Sequence, residues 1–567
     1  VHASNEERYQ AEGWGGAVGE HDSFGWKEHR TAAIAGGAAL FLLFLAIVAW
    51  STIRIRLEPI ARARIVDNLE YKLRCKVELD QVHVSLTHGL EVNGTGLRIM
   101  SIGNRQRATP GGVPMLTVRS FQFTSTLGDL IFHHASAVTA YAQGLVITLP
   151  AANDREPLDQ QNPDPAKRNQ PRDSLLLNKL VATDSSLVLE NSDPAKDSIV
   201  FPFNKLVLSD PGKNQPFVYD SILENPKPIG QIHSVGHIGP WVFTAPRQTP
   251  VDGNYTFDHT DLSSVTGLNG TLTSAGRITG VLGAMAVHGT TETPDFSLDI
   301  SARPFAVHTE FQALVDGTTG DVALQAVEAK FLKSTLHANG LISRSTTKVP
   351  GHNIAIDVHM ARGRGEDLLT LFSKSSPPLL YANMTLNGHV EVPPGKERLV
   401  MKMRARGTAS LAGARWSSES VQQNVNTLSQ RAEDNAKQAM KDPAANPLVT
   451  STMTGTFAIQ NGNIDISGLV YKMPGTVLLM DGTYPLVDHD LDFHGVARTV
   501  ATASQMETGW KSLLLKPVSP FLKKKGAGMQ IPVSFSGPKS GPHFALDLKN
   551  RKIDDAKTAD NSVKPKP

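Results

Sequence analysis

One cysteine, Cys75, stands in a chain of 567 residues, so no intrachain disulfide can form and no cysteine-based zinc site can be built. Aromatic residues make up only 6% of the chain, too few for a protein that grips nucleic acid by stacking bases. The formal net charge is +2, which gives no general pull toward a polyanion. Reactive motifs are missing as well. There is no G-x-x-x-x-G-K-[ST], no G-x-S-x-G and no H-E-x-x-H. Gly526-Ala-Gly528 opens like a dinucleotide fingerprint but lacks the third glycine and a strand-turn-helix setting. His233 and His237 have the spacing of two metal ligands on a helix, but HSVGHIGP is no helix, and they read as loop histidines. Asp488, Asp490 and Asp492 begin like a calcium loop, yet Phe493 occupies the place where the turn needs glycine. No catalytic residue, cofactor or metal is assigned, and the expectation is a non-enzyme.

Charge is also absent from one long stretch. Between Arg30 and Arg54 the chain carries none: TAAIAGGAALFLLFLAIVAWSTI, residues 31–53. A helix crossing a bilayer needs roughly 20 apolar residues, so this run predicts a transmembrane helix. Trp50, Arg54 and Arg56 then fall at the membrane interface. A secretory signal peptide is the alternative, but its apolar core usually runs only ~7–15 residues. Residues 1–30 read as a flexible tail. Residues 54–75 read as a juxtamembrane helix, with Leu57, Ile60, Ile65 and Leu69 on one face. Its basic residues suit either a lead into the first sheet or anionic headgroups. Arg54, Arg56, Arg62 and Arg64 outnumber Lys27 and Arg30, a bias that would hold the large domain in the cytoplasm.

From Lys76 the apolar period becomes two. Val77 and Leu79, Val82 and Val84, Leu116 and Val118, and Phe121 and Phe123 alternate with polar residues, as half-buried strands do. So do Ile354 to Met360, Leu399-Met401-Met403-Ala405, Ile464 and Ile466, and Leu491 and Phe493. Asn-Gly at 93, 269, 339, 387 and 461, and Asp-Gly at 252, 316 and 481, each suit a two-residue hairpin turn. Together they predict a mainly β fold: a long curved antiparallel sheet, groove-like, with a few amphipathic helices near the C-terminal end. The body spans 76–365, with a disordered Pro-rich insertion at 150–174. A C-terminal region follows at 366–550, with helices near 417–440 and 501–525, and a disordered tail at 551–567. Both helices pack on or plug the end of the sheet. A sharper alternative lays Trp510, Phe521, Lys523 and Lys524 in a membrane interface.

Val477 to Met480 is apolar on both faces, and a sheet with one wet face needs only one apolar side. The surplus face must meet helices, a second sheet or acyl chains. Met401, Met403, Ile464, Ile466, Leu478 and Met480 are the candidates for lining a lipid groove.

MTGTFAIQNGNIDISGLVYKMPGTVLLMDGTYPLVDHDLDFHG (453–495) and the stretch 504–548 resemble the C-terminal part of the AsmA-like proteins. Residues 287–334 resemble the body of that family, and 77–99, behind a single apolar run, resemble its start. The resemblance, which extends to TamB and bridge-like lipid-transfer proteins, implies a single-pass inner-membrane protein. Its β-rich domain would lie in the periplasm of a Gram-negative envelope. Its partners would be membrane phospholipid, the inner membrane and outer-membrane assembly proteins, not nucleic acid. The charge bias beside the apolar run departs from that orientation. Three readings follow. In the first, a membrane-anchored protein moves or shields phospholipid through an apolar groove and supports outer-membrane biogenesis. In the second, a non-catalytic periplasmic scaffold assists or regulates outer-membrane protein assembly, its sheet filled by its own side chains. In the third, a membrane-tethered enzyme, no residue carries the chemistry.

Overall fold

The alternation that starts at Lys76 becomes one strand after another in a single sheet. The computed structural model describes residues 41, 44–45, 47–48, 57–67, 69–70, 76–85, 90–101, 113–125, 137–149, 176–190, 198–209, 215–240, 242, 246–345, 349, 351–432, 449–487, 490–499, 530–539 and 541–547. Among these, 26 strands form one sheet, from Val77–Glu78 to His543–Leu546. Most strands lie antiparallel beside their predecessor in the chain, as short connections favour. The sheet is nevertheless mixed: Ala137–Leu149 pairs in parallel with Leu176–Thr183 and Ser185–Leu189. A parallel pair needs a crossover too long for a hairpin, and the Pro-rich stretch 150–174 belongs to that connection, outside the described residues.

Register keeps one face apolar along almost the whole sheet. Directly opposed residues point to the same side of a sheet. One such row runs Val82, Gly94, Phe121, Ala142, Ala182, Leu206, Ser221, Ser234, Tyr255, Gly276 and Gly289. It continues through Phe311, Val327, Ala338, Val358, Gly388, Gly407, Phe457, Ile466, Gly482, Phe493 and Phe535. At about 4.8 Å per strand the row covers on the order of 100 Å of sheet. Only two members, Ser221 and Ser234, are neither apolar nor glycine, apart from the phenol of Tyr255.

The opposite face is wet and charged. His308 lies between Glu292 and Glu310, His389 between Asp357 and Glu391, and His494 between Asp492 and Asp547. His233 and His237 sit on the strand Ile229–Ile238, not in a loop, and pair with Asp220 and Asp252 on this face. Asp492 is exposed here too, and Asp488 lies outside the described residues.

The connections alternate between two rims, and opposite rims meet. Arg344, at the end of the strand Ser334–Arg344, donates to the carbonyls of Glu190 and Leu189 at 3.0 and 3.2 Å, ten strands earlier in the chain. The Leu399 N–H donates to the Thr266 carbonyl at 3.0 Å, and Arg398 pairs with Asp299. The sheet is therefore wound, with its apolar face turned inward.

Several expectations are corrected. No helix among the described residues is long and apolar enough to cross a membrane. The expected transmembrane helix at 31–53, the membrane anchoring and the single-pass inner-membrane localisation are not upheld. Three of the described helices, over 57–67, Gly365–Phe372 and Glu419–Ala432, pack a face against the sheet instead. The one over 57–67 buries Leu57, Ala61 and Ile65 against the first strands, while Arg62 donates to the Leu79 carbonyl. Of 31–53 only Phe41, Phe44, Leu45, Ile47 and Val48 are described, as helical and exposed. Trp50, Arg54 and Arg56 lie outside the described residues, as do Trp510, Phe521, Lys523, Lys524, the helix expected near 501–525 and both tails, 1–30 and 551–567.

The run Leu399 to Ala405 is not one strand: Leu399–Lys402 is a helical turn with Val400 fully buried, and the strand begins at Arg404. Of the eight Asn-Gly and Asp-Gly pairs, Asn461-Gly462 makes a two-residue hairpin, with both φ positive. Asp316-Gly317 lies in a longer connection, and Asn269-Gly270 at a strand break. The other five lie inside strands. There the Asn or Asp faces water and the glycine faces inward. At three of these glycines an aromatic side chain lies where a Cβ would stand, Phe121 over Gly94, Tyr219 over Gly253 and Phe493 over Gly482, and at Gly388 the Phe457 ring comes within 3.3 Å of that position.

Candidate apolar cavity

The strands from Ser334–Arg344 to Gln530–Gly537 turn alternate residues inward, and a cavity of about 430 Å³ lies over them. Its floor comes from Leu336, Val358, Met384, Leu386, Val390, Ala409, Leu411, Met453, Phe457 and Ile459, then Leu469, Tyr471, Met473, Leu491, Phe493 and Phe535. Met403, Ile464, Ile466, Leu478 and Met480, five of the groove candidates, lie in this lining. Met401 does not: it is exposed on the helical turn Leu399–Lys402, beside Gly462 and its hairpin. In the doubly apolar run, Leu478 and Met480 point inward. Leu479 is half-buried on the other face, between Val470 and Val496 in register.

Two helices close one rim. Gly365–Phe372 contributes Leu368, Leu369, Leu371 and Phe372. The acids of its first turn tie it to neighbouring strands and suit the positive end of the helix. Buried Asp367 accepts from the Lys333 N–H at 2.9 Å and the Ser334 hydroxyl at 2.7 Å, and Glu366 accepts from the Ala382 N–H at 3.2 Å. This helix was absent from the sequence reading, although two acids followed by Leu368-Leu369 and Leu371-Phe372 carry its signal. The second helix, Glu419–Ala432, falls within the expected 417–440 and packs Val421 and Val425 inward. Gln422 fixes it by accepting from the Trp416 N–H at 2.8 Å and donating to the Val449 carbonyl at 3.1 Å.

Among the described residues the cavity wall carries no charged side chain. Its polar side chains are Trp416, Asn424, Tyr471 and Tyr484. Burial raises the pKa of Tyr471 and of Tyr484 above the ordinary phenol value, so both stay neutral near pH 7. Trp416 donates its indole N–H to the Tyr471 hydroxyl. Such a wall can bury hydrocarbon.

A second cavity, of about 410 Å³, lies between the helix over 57–67 and the first strand. It is polar, and Arg98 pairs with Asp80 and Glu78 inside it. Among the described residues no cluster of three His, Cys, Asp or Glu side chains could hold a metal ion. No family model, curated protein or solved structure matches this chain.

Proposed function

We propose that this chain is a non-catalytic envelope scaffold. It shelters apolar chains against the inner face of its wound sheet and so assists or regulates outer-membrane protein assembly. The reading contains no membrane anchor. It keeps from the AsmA-like resemblance the β-rich body, the link to outer-membrane biogenesis and phospholipid as a partner.

One observation carries it: a cavity of about 430 Å³ whose wall is almost wholly carbon and uncharged. Ligand pockets generally measure ~300–1,000 Å³ and are lined mainly by apolar side chains. Each CH₂ moved from water into such a wall contributes roughly 0.8 kcal/mol, so a phospholipid acyl chain is the occupant that gains most there.

The test is lipid extraction and mass spectrometry on protein purified without detergent, with Ala409→Trp as the comparison. Ala409 lines the cavity, and an indole there fills space instead of creating it. The wild type should carry phospholipid, and the variant should lose most of it while keeping its unfolding midpoint. In a Gram-negative host lacking the gene, the same variant should also fail to restore the yield of folded outer-membrane proteins. A wild-type protein free of lipid overturns the acyl-chain reading.

A further inference from the structure

Among the described residues, opposite rims meet at Leu399 and at Arg344, and the two contacts differ in kind. At the first, Leu399 hydrogen-bonds Thr266, Arg398 pairs with Asp299, and fully buried Val400 packs in one cluster with Leu298 and Ile300. A Cβ on Gly267 would come 3.0 Å from the Leu399 nitrogen, so the backbones are in close contact. Apolar burial, a backbone hydrogen bond and an ion pair act there together. At the other contact, among the described residues, the gap is spanned by the Arg344 guanidinium. Arg344 donates to two backbone carbonyls, those of Leu189 and Glu190, and its own N–H is fixed by Asp321 at 2.8 Å. A hydrogen bond from a guanidinium to a backbone carbonyl is one that water can replace once the rims part.

We infer that the Arg344 contact is a latch: the wound sheet opens sideways there, exposing its inner face, while the clasp at Val400 stays shut. The inference rests on the proposed function only for its purpose, since a sheltered chain must enter and leave. The latch itself is a statement about the protein alone. Opening removes two hydrogen bonds and leaves the strand pairing on either side intact, because Arg344 crosses between rims and its strand keeps its register with His352–Arg364.

The experiment reads accessibility without lipid. In full-length protein with Cys75 replaced by Ser, one reporter is Ala338→Cys on the inner row and the other is Asn339→Cys on the exposed face. Each is labelled with a maleimide under native conditions. Arg344→Ala should speed labelling at 338 about tenfold and leave 339 unchanged. A second variant, Glu190→Cys/Arg344→Cys, closed as a disulfide with the reporter thiol left free, should slow labelling at 338 below the rate of the same variant after reduction. The disulfide holds the two rims together without the guanidinium, so it decides the matter even if Arg344→Ala misfolds. Equal rates at 338 with and without the bridge overturn the latch. Absence of bound phospholipid would overturn the acyl-chain reading and leave the latch standing, so the two failures are distinguishable.

Discussion

Trp416 donates its indole N–H to the hydroxyl of Tyr471 at 2.9 Å, and the two rings meet edge to face with centroids 6.2 Å apart. The pair places a satisfied polar contact in a wall built mostly of hydrocarbon. Tyr471 is almost fully buried, whereas Trp416 also meets the ring of Phe535 at a tilt, with centroids 5.0 Å apart. Tyr471→Phe keeps the ring and leaves the indole N–H without its acceptor. An unmet buried donor costs about 1–3 kcal/mol, so urea unfolding should shift by that amount. Tyr471→Phe/Trp416→Phe removes both polar atoms and should recover part of the loss.

Leu478 tests the floor of the cavity. It is 2% exposed and stands in register between Tyr471 and Ala497. Leu478→Ala enlarges an existing void, so little can collapse around it. The expected loss is about 2–5 kcal/mol, toward the upper end of that range, read from the denaturant midpoint. Met401→Ala, on the exposed helical turn outside the cavity, should cost less than 1 kcal/mol by the rule for surface substitutions.

The strands were legible because alternation is local: Ile354, Ile356 and Val358 sit in one strand on one face, as their spacing requires. The Asn-Gly pairs were misleading for a physical reason. A polar residue followed by glycine suits a tight turn, but it also suits a strand with water on one side and an aromatic ring lying flat on the other. Asn387-Gly388 is the second case, and the ring over Gly388 comes from Phe457, about seventy residues away. No local pattern announces so distant a partner. The contact from Arg344 to Leu189 and Glu190 was invisible on the same ground, since it depends on how ten strands of twist accumulate. Length and hydropathy alone suggested the spanning helix, and no helix among the described residues bears that out.

His308 gives the outer face a pH signature. Its ring lies against Glu292, 2.5 Å away on the next strand, and against Glu310, and these two carboxylates raise its pKa above the ordinary histidine value. A raised folded-state pKa favours the folded protein when the ring is protonated. The contribution is therefore present below the unfolded value, near 6.5, and is lost as pH climbs through the raised folded value. The pair is largely solvated, so the effect on stability is small, but the titration is direct to observe. NMR should place the His308 midpoint above that of a free histidine. Glu292→Gln/Glu310→Gln should bring it back down, and a midpoint unmoved by that double change would discount the ion pairs.

Gly407 and Gly413 lie on the same strand, Arg404–Trp416, and should respond oppositely to the size of a substituent. Gly413 has φ +67°, and nothing stands within 4 Å of where its Cβ would be. Replacing it costs backbone strain alone, about 1–2 kcal/mol for alanine, with asparagine tolerated better because its side chain suits the left-handed region. Gly407 faces inward opposite Gly388, where a Cβ would fall 2.1 Å from the Asn387 carbonyl oxygen and 2.8 Å from both the Gly388 Cα and the Phe457 ring. Alanine there must push two strands apart, and the loss should exceed that at Gly413. Removing the ring tests which contact dominates. If Phe457 were the obstacle, Gly407→Ala/Phe457→Ala would be less destabilised than the sum of its parts. Because the nearest atom belongs to the backbone of the neighbouring strand, which cannot swing aside, the two losses should instead add, as a double-mutant cycle on denaturant midpoints would show.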